Sequence, residues 1–77
     1  MKELLLYIAQ NLVDNPEQVQ VLESVGDDNE VVLELHVAPS DMGKVIGRQG
    51  RIAKEIRTLV KAVAQRRGQK VSVEILD

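Results

Sequence analysis

Apolar and polar positions along this 77-residue chain change their period from one stretch to the next. In the opening segment Leu5, Ile8, Ala9 and Leu12 recur three and four residues apart, the spacing that gathers side chains on one face of a helix. It predicts a helix over residues 2–13, stopped by Asp14-Asn15-Pro16. The period then falls to two. Val19, Val21, Glu23 and Val25 share one side of a predicted strand, which ends at the turn-forming cluster Gly26-Asp27-Asp28-Asn29. In a second strand Val31, Leu33, Leu35 and Val37 face one way, and Val32, Glu34 and His36 the other.

Helical spacing returns after Pro39. Ser40 or Asp41 offers an N-cap for a short helix running to Ile46. A glycine-bracketed loop at residues 47–50 leads into a long helix over residues 51–67, closed by Gly68. Ile52, Ile56, Leu59, Val60 and Val63 form its apolar stripe. Arg51, Lys54, Thr58, Lys61 and Gln65 line the opposite side, with Arg57 at the border. Val71, Val73 and Ile75 alternate in a last strand.

The order helix–strand–strand–helix–helix–strand predicts an α+β fold of two layers, read as one domain over residues 1–77. The first two strands pair antiparallel through their short turn. The strand–helix–helix–strand segment makes a right-handed crossover between parallel strands. The result is a three-stranded mixed sheet with helices on one face. Leu22, Val32 and Leu76 fall on the other face among polar residues, a surface suited to a partner or simply a scatter of exposed aliphatics.

Charge alters this picture, because the net value of −2 conceals a segregation. Residues 1–41 carry nine acids and one base, Lys2; residues 42–70 carry nine bases and one acid, Glu55; Glu74 and Asp77 follow. Local potential rather than net charge governs polyanion binding, so the central block reads as a binding surface. A fold that set the two blocks against each other would neutralise it, and the sequence leaves both arrangements open.

The stretch VIGRQGRI, residues 45–52, sharpens the functional reading. Unpaired amide hydrogens and a partial positive charge at a helix start attract phosphate. Glycine lets another backbone approach because it has no Cβ. Arg48 lies in the loop, Lys44, Arg51 and Lys54 surround it, and Val45 and Ile46 bring apolar surface to its edge. A sugar-phosphate chain crossing Gly47, Arg48, Gln49 and Gly50, with bases along an aliphatic groove, fits these residue types. A tight helix–turn–helix without a ligand also fits the two glycines, and Gly43 reads equally as a packing contact.

Other chemistries lack their residues. Cysteine is absent, which removes disulfides and thiolate metal sites, and a single histidine, His36, removes multi-histidine clusters. His36 itself reads as a surface residue on the second strand. Neither a phosphate-binding GxxxxGK[ST] loop nor a GxGxxG fingerprint occurs, and the serines and threonine lack a neighbouring base. No enzyme, cofactor or metal is expected. Tyr7 is the sole aromatic residue, too few for modules that stack bases on a sheet. The N-terminal apolar run is too short to span a bilayer and lacks a cleavage site, pointing to a cytoplasmic protein with no membrane role.

The run Gly43-Lys44-Val45-Ile46-Gly47-Arg48-Gln49-Gly50-Arg51-Ile52 resembles the signature of KH domains, whose GxxG loop clamps about four nucleotides of single-stranded nucleic acid. A helix and strand placed before the core are similar to the bacterial type II arrangement. An acidic free-standing chain of this length is most similar to the small KH proteins of the KhpA family. The resemblance implies the type II KH fold, RNA binding and RNA-chaperone activity. It implies self-association and a larger KH-containing partner of the KhpB/Jag type. It also implies a role in cell elongation, cell shape and peptidoglycan homeostasis. Many KH loops carry lysine or a small residue where Gln49 stands, which lowers the charge offered by this loop. A protein-interaction module that mainly dimerises is the competing expectation.

Overall fold

The structure is a computed structural model that describes residues 1–76. Six main elements follow one another: α1 (Lys2–Gln10), β1 (Gln20–Val25), β2 (Val31–His36), α2 (Met42–Ile46), α3 (Arg51–Arg66) and β3 (Val71–Leu76). The sheet order is β1-β2-β3, with β2 antiparallel to β1 and parallel to β3. This is the α-β-β-α-α-β order of a type II KH fold, a three-stranded mixed sheet with helices on one face.

Alternation in the strands decides which face is covered. Leu33 and Leu35 are fully buried at the centre of β2, and their register partners Val21, Val73 and Ile75 lie on the same side. Leu5 and Ala9 of α1, Val45 of α2 and Ile56 and Val60 of α3 complete the core. The opposite face holds the row Leu22–Glu34–Glu74 and, beside it, Gln20–His36–Leu76, as the alternation predicted.

Several boundaries differ from the sequence expectation, each for a local reason. Helix α1 ends at Gln10, where the Asn11 side-chain Nδ2 donates to the Tyr7 carbonyl at 2.8 Å and closes the last turn. In β1 only Val21 is buried, and Val25 is 70% exposed, because the strand runs out beyond the cover of the helices. Gly26 N–H donates to the Glu30 carbonyl at 2.7 Å, and Asp28 and Asn29 take the left-handed conformation that their short polar side chains tolerate.

The buried stripe of α3 is centred on Ala53, Ile56, Val60 and Ala64 rather than on Leu59, which is 49% exposed. Alanines at the centre let the helix lie close to the sheet and turn Leu59 outward. Gly68, at φ 69°, closes α3 as expected: Gln69 N–H reaches the Ala64 carbonyl at 2.9 Å and Gly68 N–H the Gln65 carbonyl at 3.1 Å.

Ser40 or Asp41 was expected to cap α2; Asp41 stands at the N-cap position, but its side chain makes no hydrogen bond to the helix. Its buried carboxylate accepts hydrogen bonds from Asp14 N–H (3.2 Å), Asn15 N–H (3.0 Å) and Asn15 Nδ2 (3.0 Å). The segment after α1 is thereby tied to the start of α2. A cap needs the side chain to fold back on its own helix, and here the amides on the neighbouring segment win it.

Candidate nucleic-acid interface

Helix α2 delivers the chain to the turn and α3 carries it away. Gly47 stands at φ 75°, Gln49 at φ 57° and Gly50 at φ 73°, so three of four consecutive residues occupy backbone regions that favour glycine. The Gly47 N–H closes α2 on the Gly43 carbonyl at 2.9 Å, and Gly50 N–H returns to the Gly47 carbonyl at 3.2 Å.

The glycines have different reasons to be there. A Cβ at Gly47 would lie 2.6 Å from Ile52 Cγ1, so the turn folds back against α3 only without a side chain. At Gly50 a Cβ would meet nothing within 4 Å, and there only the backbone angle favours glycine. Gly43 is exposed, and among the described residues a Cβ there would meet nothing within 4 Å, so no close packing contact requires a glycine at this position. Open space above α2 and beside Gly50 leaves this edge approachable by another backbone.

The sequence-derived site residues divide by burial. Gly43, Lys44, Arg48, Gln49, Arg51 and Lys54 are exposed around the turn, and Ile46, Gly47 and Gly50 are half-buried. Val45 is 0% exposed. Its side chain belongs to the hydrophobic core rather than to the exposed rim of the turn.

Contacts across the two charge blocks are sparse. Among the described residues one ion pair joins them, Lys44 Nζ to Asp14 Oδ2 at 3.4 Å. Arg48, Arg51 and Lys54 have no carboxylate within 4.0 Å among the described residues. Pairwise neutralisation of the cationic block, left open by the sequence, therefore does not occur there.

Arg57 is half-buried, and its Nε donates to the Val73 carbonyl at 3.1 Å, linking α3 to the β3 edge. Its border position in the stripe was the only advance sign of this. Nothing local announced Asp14 and Asn15 as supports of α2, because their contacts with Asp41 span 27 and 26 residues.

Burial raises the Asp41 pKa, but the Asn15 side-chain hydrogen bond, the Asp14 and Asn15 amides and nearby Lys44 outweigh it, leaving the carboxyl below its ordinary value. His36 is half-buried rather than an ordinary surface residue; its Nε2 lacks a hydrogen-bond partner among the described residues and lies 3.7 Å from Glu34 Oε1. No group of three potential metal-ligating side chains occurs among the described residues, and none of their helices is long and apolar enough to cross a membrane.

Residues 2–75 match the family described as KhpA/KhpB, KH domain. The chain belongs to that family. A relative from Clostridium perfringens, named RNA-binding protein KhpA, is 59% identical over 76 residues, covering 99% of this chain and 100% of its own. Similarly named relatives from Chlamydia trachomatis and Aquifex aeolicus are 52% and 44% identical, covering 100% of this chain and 97% and 96% of their own. Among solved structures, Aquifex aeolicus Era bound to GDP.AlF4- superposes with a TM-score of 0.63 at 24% identity. Era in complex with MgGDPNP and a fragment of 16S ribosomal RNA gives 0.57 at 24% identity. Each alignment covers 96% of this chain and 28% of the Era chain, and the likeness is one of fold. In this KhpA/KhpB member the turn just described carries the sequence Gly47-Arg48-Gln49-Gly50.

Proposed function

We propose that this chain is a non-enzymatic, cytoplasmic, single-stranded RNA-binding protein that clamps about four nucleotides at the 47–50 turn. The observation that carries the reading is a positive-φ turn, open to solvent, ringed by the cations Arg48, Arg51 and Lys54, which pair with no carboxylate among the described residues. Backbone amides at the start of α3 and these side chains hold phosphates. Gly43 and Gly50 give the strand room, Ile46 contacts bases, and Gln49 donates from the loop. Lys44 joins the contact set when its pairing with Asp14 opens, while Val45 and Gly47 hold the turn in shape. The names of the KhpA relatives support RNA as the polyanion.

Family membership supports the wider reading. In it the protein is an RNA chaperone working with a larger KH partner of the KhpB/Jag type in post-transcriptional control of cell elongation, cell shape and peptidoglycan homeostasis.

The test is RNA affinity against salt for Gly50→Asp combined with Arg48→Glu. Gly50 is the better site for a charge because its surroundings are open and aspartate tolerates the left-handed region, whereas any side chain at Gly47 would collide with Ile52. Affinity should fall at least about tenfold, with a shallower salt dependence. Unchanged affinity would overturn the reading.

A second reading, self-association, is favoured by the exposed apolar surface between α1 and α3. Leu12 and Leu59 border a hollow of about 260 Å³ there, with Tyr7 exposed on the same helix as Ile8. Joining two weak RNA sites in a dimer would add avidity. Sedimentation of wild type and Leu59→Arg, with and without RNA, separates the readings: a shift without RNA that the variant abolishes supports the dimer.

A further inference from the structure

The cations of α3 continue well beyond the turn. Arg51, Lys54, Thr58, Lys61 and Gln65 are spaced three, four, three and four residues apart, an average of 3.5 that keeps the row nearly parallel to the helix axis. All five are exposed. The 16 residues of α3 span about 24 Å, leading from the 47–50 turn to the turn that enters β3.

Two hollows lie in series along this row. The first, about 540 Å³, is lined by Arg51, Lys54, Thr58 and Leu59, with Glu55 at its side. The second, about 350 Å³, is lined by Lys61, Gln65, Gln69 and Lys70, with Glu30 and Val71 opposite. Neither Lys61 nor Lys70 has a carboxylate within 4.0 Å among the described residues, so Glu30 does not pair with them. The second hollow thus presents two ammonium groups and two amides at the far end of the helix from the GxxG turn. Unpaired ammonium groups on neighbouring elements, flanked by amide donors, suit the oxygens of a phosphodiester.

We propose that this second hollow is a distinct phosphate-binding site, and that α3 guides an RNA strand from the 47–50 turn to it. The inference rests on the RNA-binding reading above and extends it from a four-nucleotide clamp to a longer footprint. At about 3.4 Å per phosphate of a stacked strand, 24 Å accommodates about seven more phosphates. The contacts are to the backbone, so the site adds affinity and length preference without sequence preference.

Fluorescence anisotropy with uridine oligonucleotides of about four and about twelve nucleotides, across a salt series, tests the site in wild type, Lys61→Gln/Lys70→Gln and Gly50→Asp. Both lysines are exposed, and circular dichroism checks that the variants fold. The double lysine variant should bind the long oligonucleotide about tenfold more weakly, with a salt slope smaller by about 1.4, and bind the short one as wild type does. Equal binding of the long oligonucleotide by wild type and double variant overturns the proposal, as does an equal loss for both lengths. A double variant that changes sedimentation but not RNA affinity assigns the hollow to a protein contact and overturns it too. Failure of the turn reading looks different: Gly50→Asp then binds both lengths as wild type does, while the lysine variant still weakens the long one.

Discussion

Gly47 and Ile52 are fitted to each other: a Cβ on the glycine would stand 2.6 Å from Cγ1 of the isoleucine and 2.9 Å from its Cβ. The turn passes so close to Ile52 that no side chain fits at position 47. Gly47→Ala should destabilise the fold by at least about 2 kcal/mol, combining overpacking with a backbone region, φ 75° and ψ 176°, that is essentially restricted to glycine. Gly50→Ala meets no atom within 4 Å and should cost only about 1 kcal/mol, from the angle alone. Urea unfolding of both variants checks the order, and equal losses would contradict it.

Asp41 makes stability depend on acid. Its pKa lies below the ordinary 3.8, so its contribution is fully present above that pH and is lost as pH falls through the lower folded value. Asp41→Asn should lower the melting temperature at neutral pH and flatten the fall in stability under acid, because the variant has no carboxyl there to protonate. Thermal melts of both proteins between neutral and strongly acid pH test this.

Lys44 is engaged by Asp14, an exposed partner, so freeing it should help a polyanion. Asp14→Asn should tighten RNA binding up to about fivefold at low salt, the scale of a surface ion pair, and the gain should vanish at high salt. The Asp14 amide still reaches Asp41, so the change leaves that backbone tie in place. Anisotropy titrations at two ionic strengths measure the difference.

Leu33 is fully buried at the centre of the middle strand. Leu33→Ala should cost about 2–5 kcal/mol, the range for a large buried aliphatic reduced to alanine. In a chain this small that loss removes much of the margin, and chemical denaturation should show it.

Much of the fold was legible because it follows from short-range pattern. Alternation placed Leu33 and Leu35 inward and Glu34 and His36 outward, and the glycine at 68 marked the end of α3. The turn at 47–50 was readable from its two glycines, whereas nothing in the residue type of Gln49 announced its φ of 57°. What the sequence hid depends on distance or on shape. Asp41 looks like a cap until the amides of Asp14 and Asn15 stand beside it. Leu59 belongs to the apolar stripe by spacing alone, and only the seating of α3 on its alanines turns it outward. Val45 and Ile46 are alike in sequence, yet one is sealed in the core and the other reaches the surface.

The parallel pairing of β2 with β3 encloses everything between Val37 and Lys70, including the whole of α2, the glycine turn and α3. The glycine turn is consequently not a portable peptide. Excised or grafted onto a scaffold without that crossover, it would lose Ile52 as a backstop and the two strands that fix the helices, and its amides would fan out over many directions. Transplanting it therefore means transplanting the closed loop, with a strand at each end.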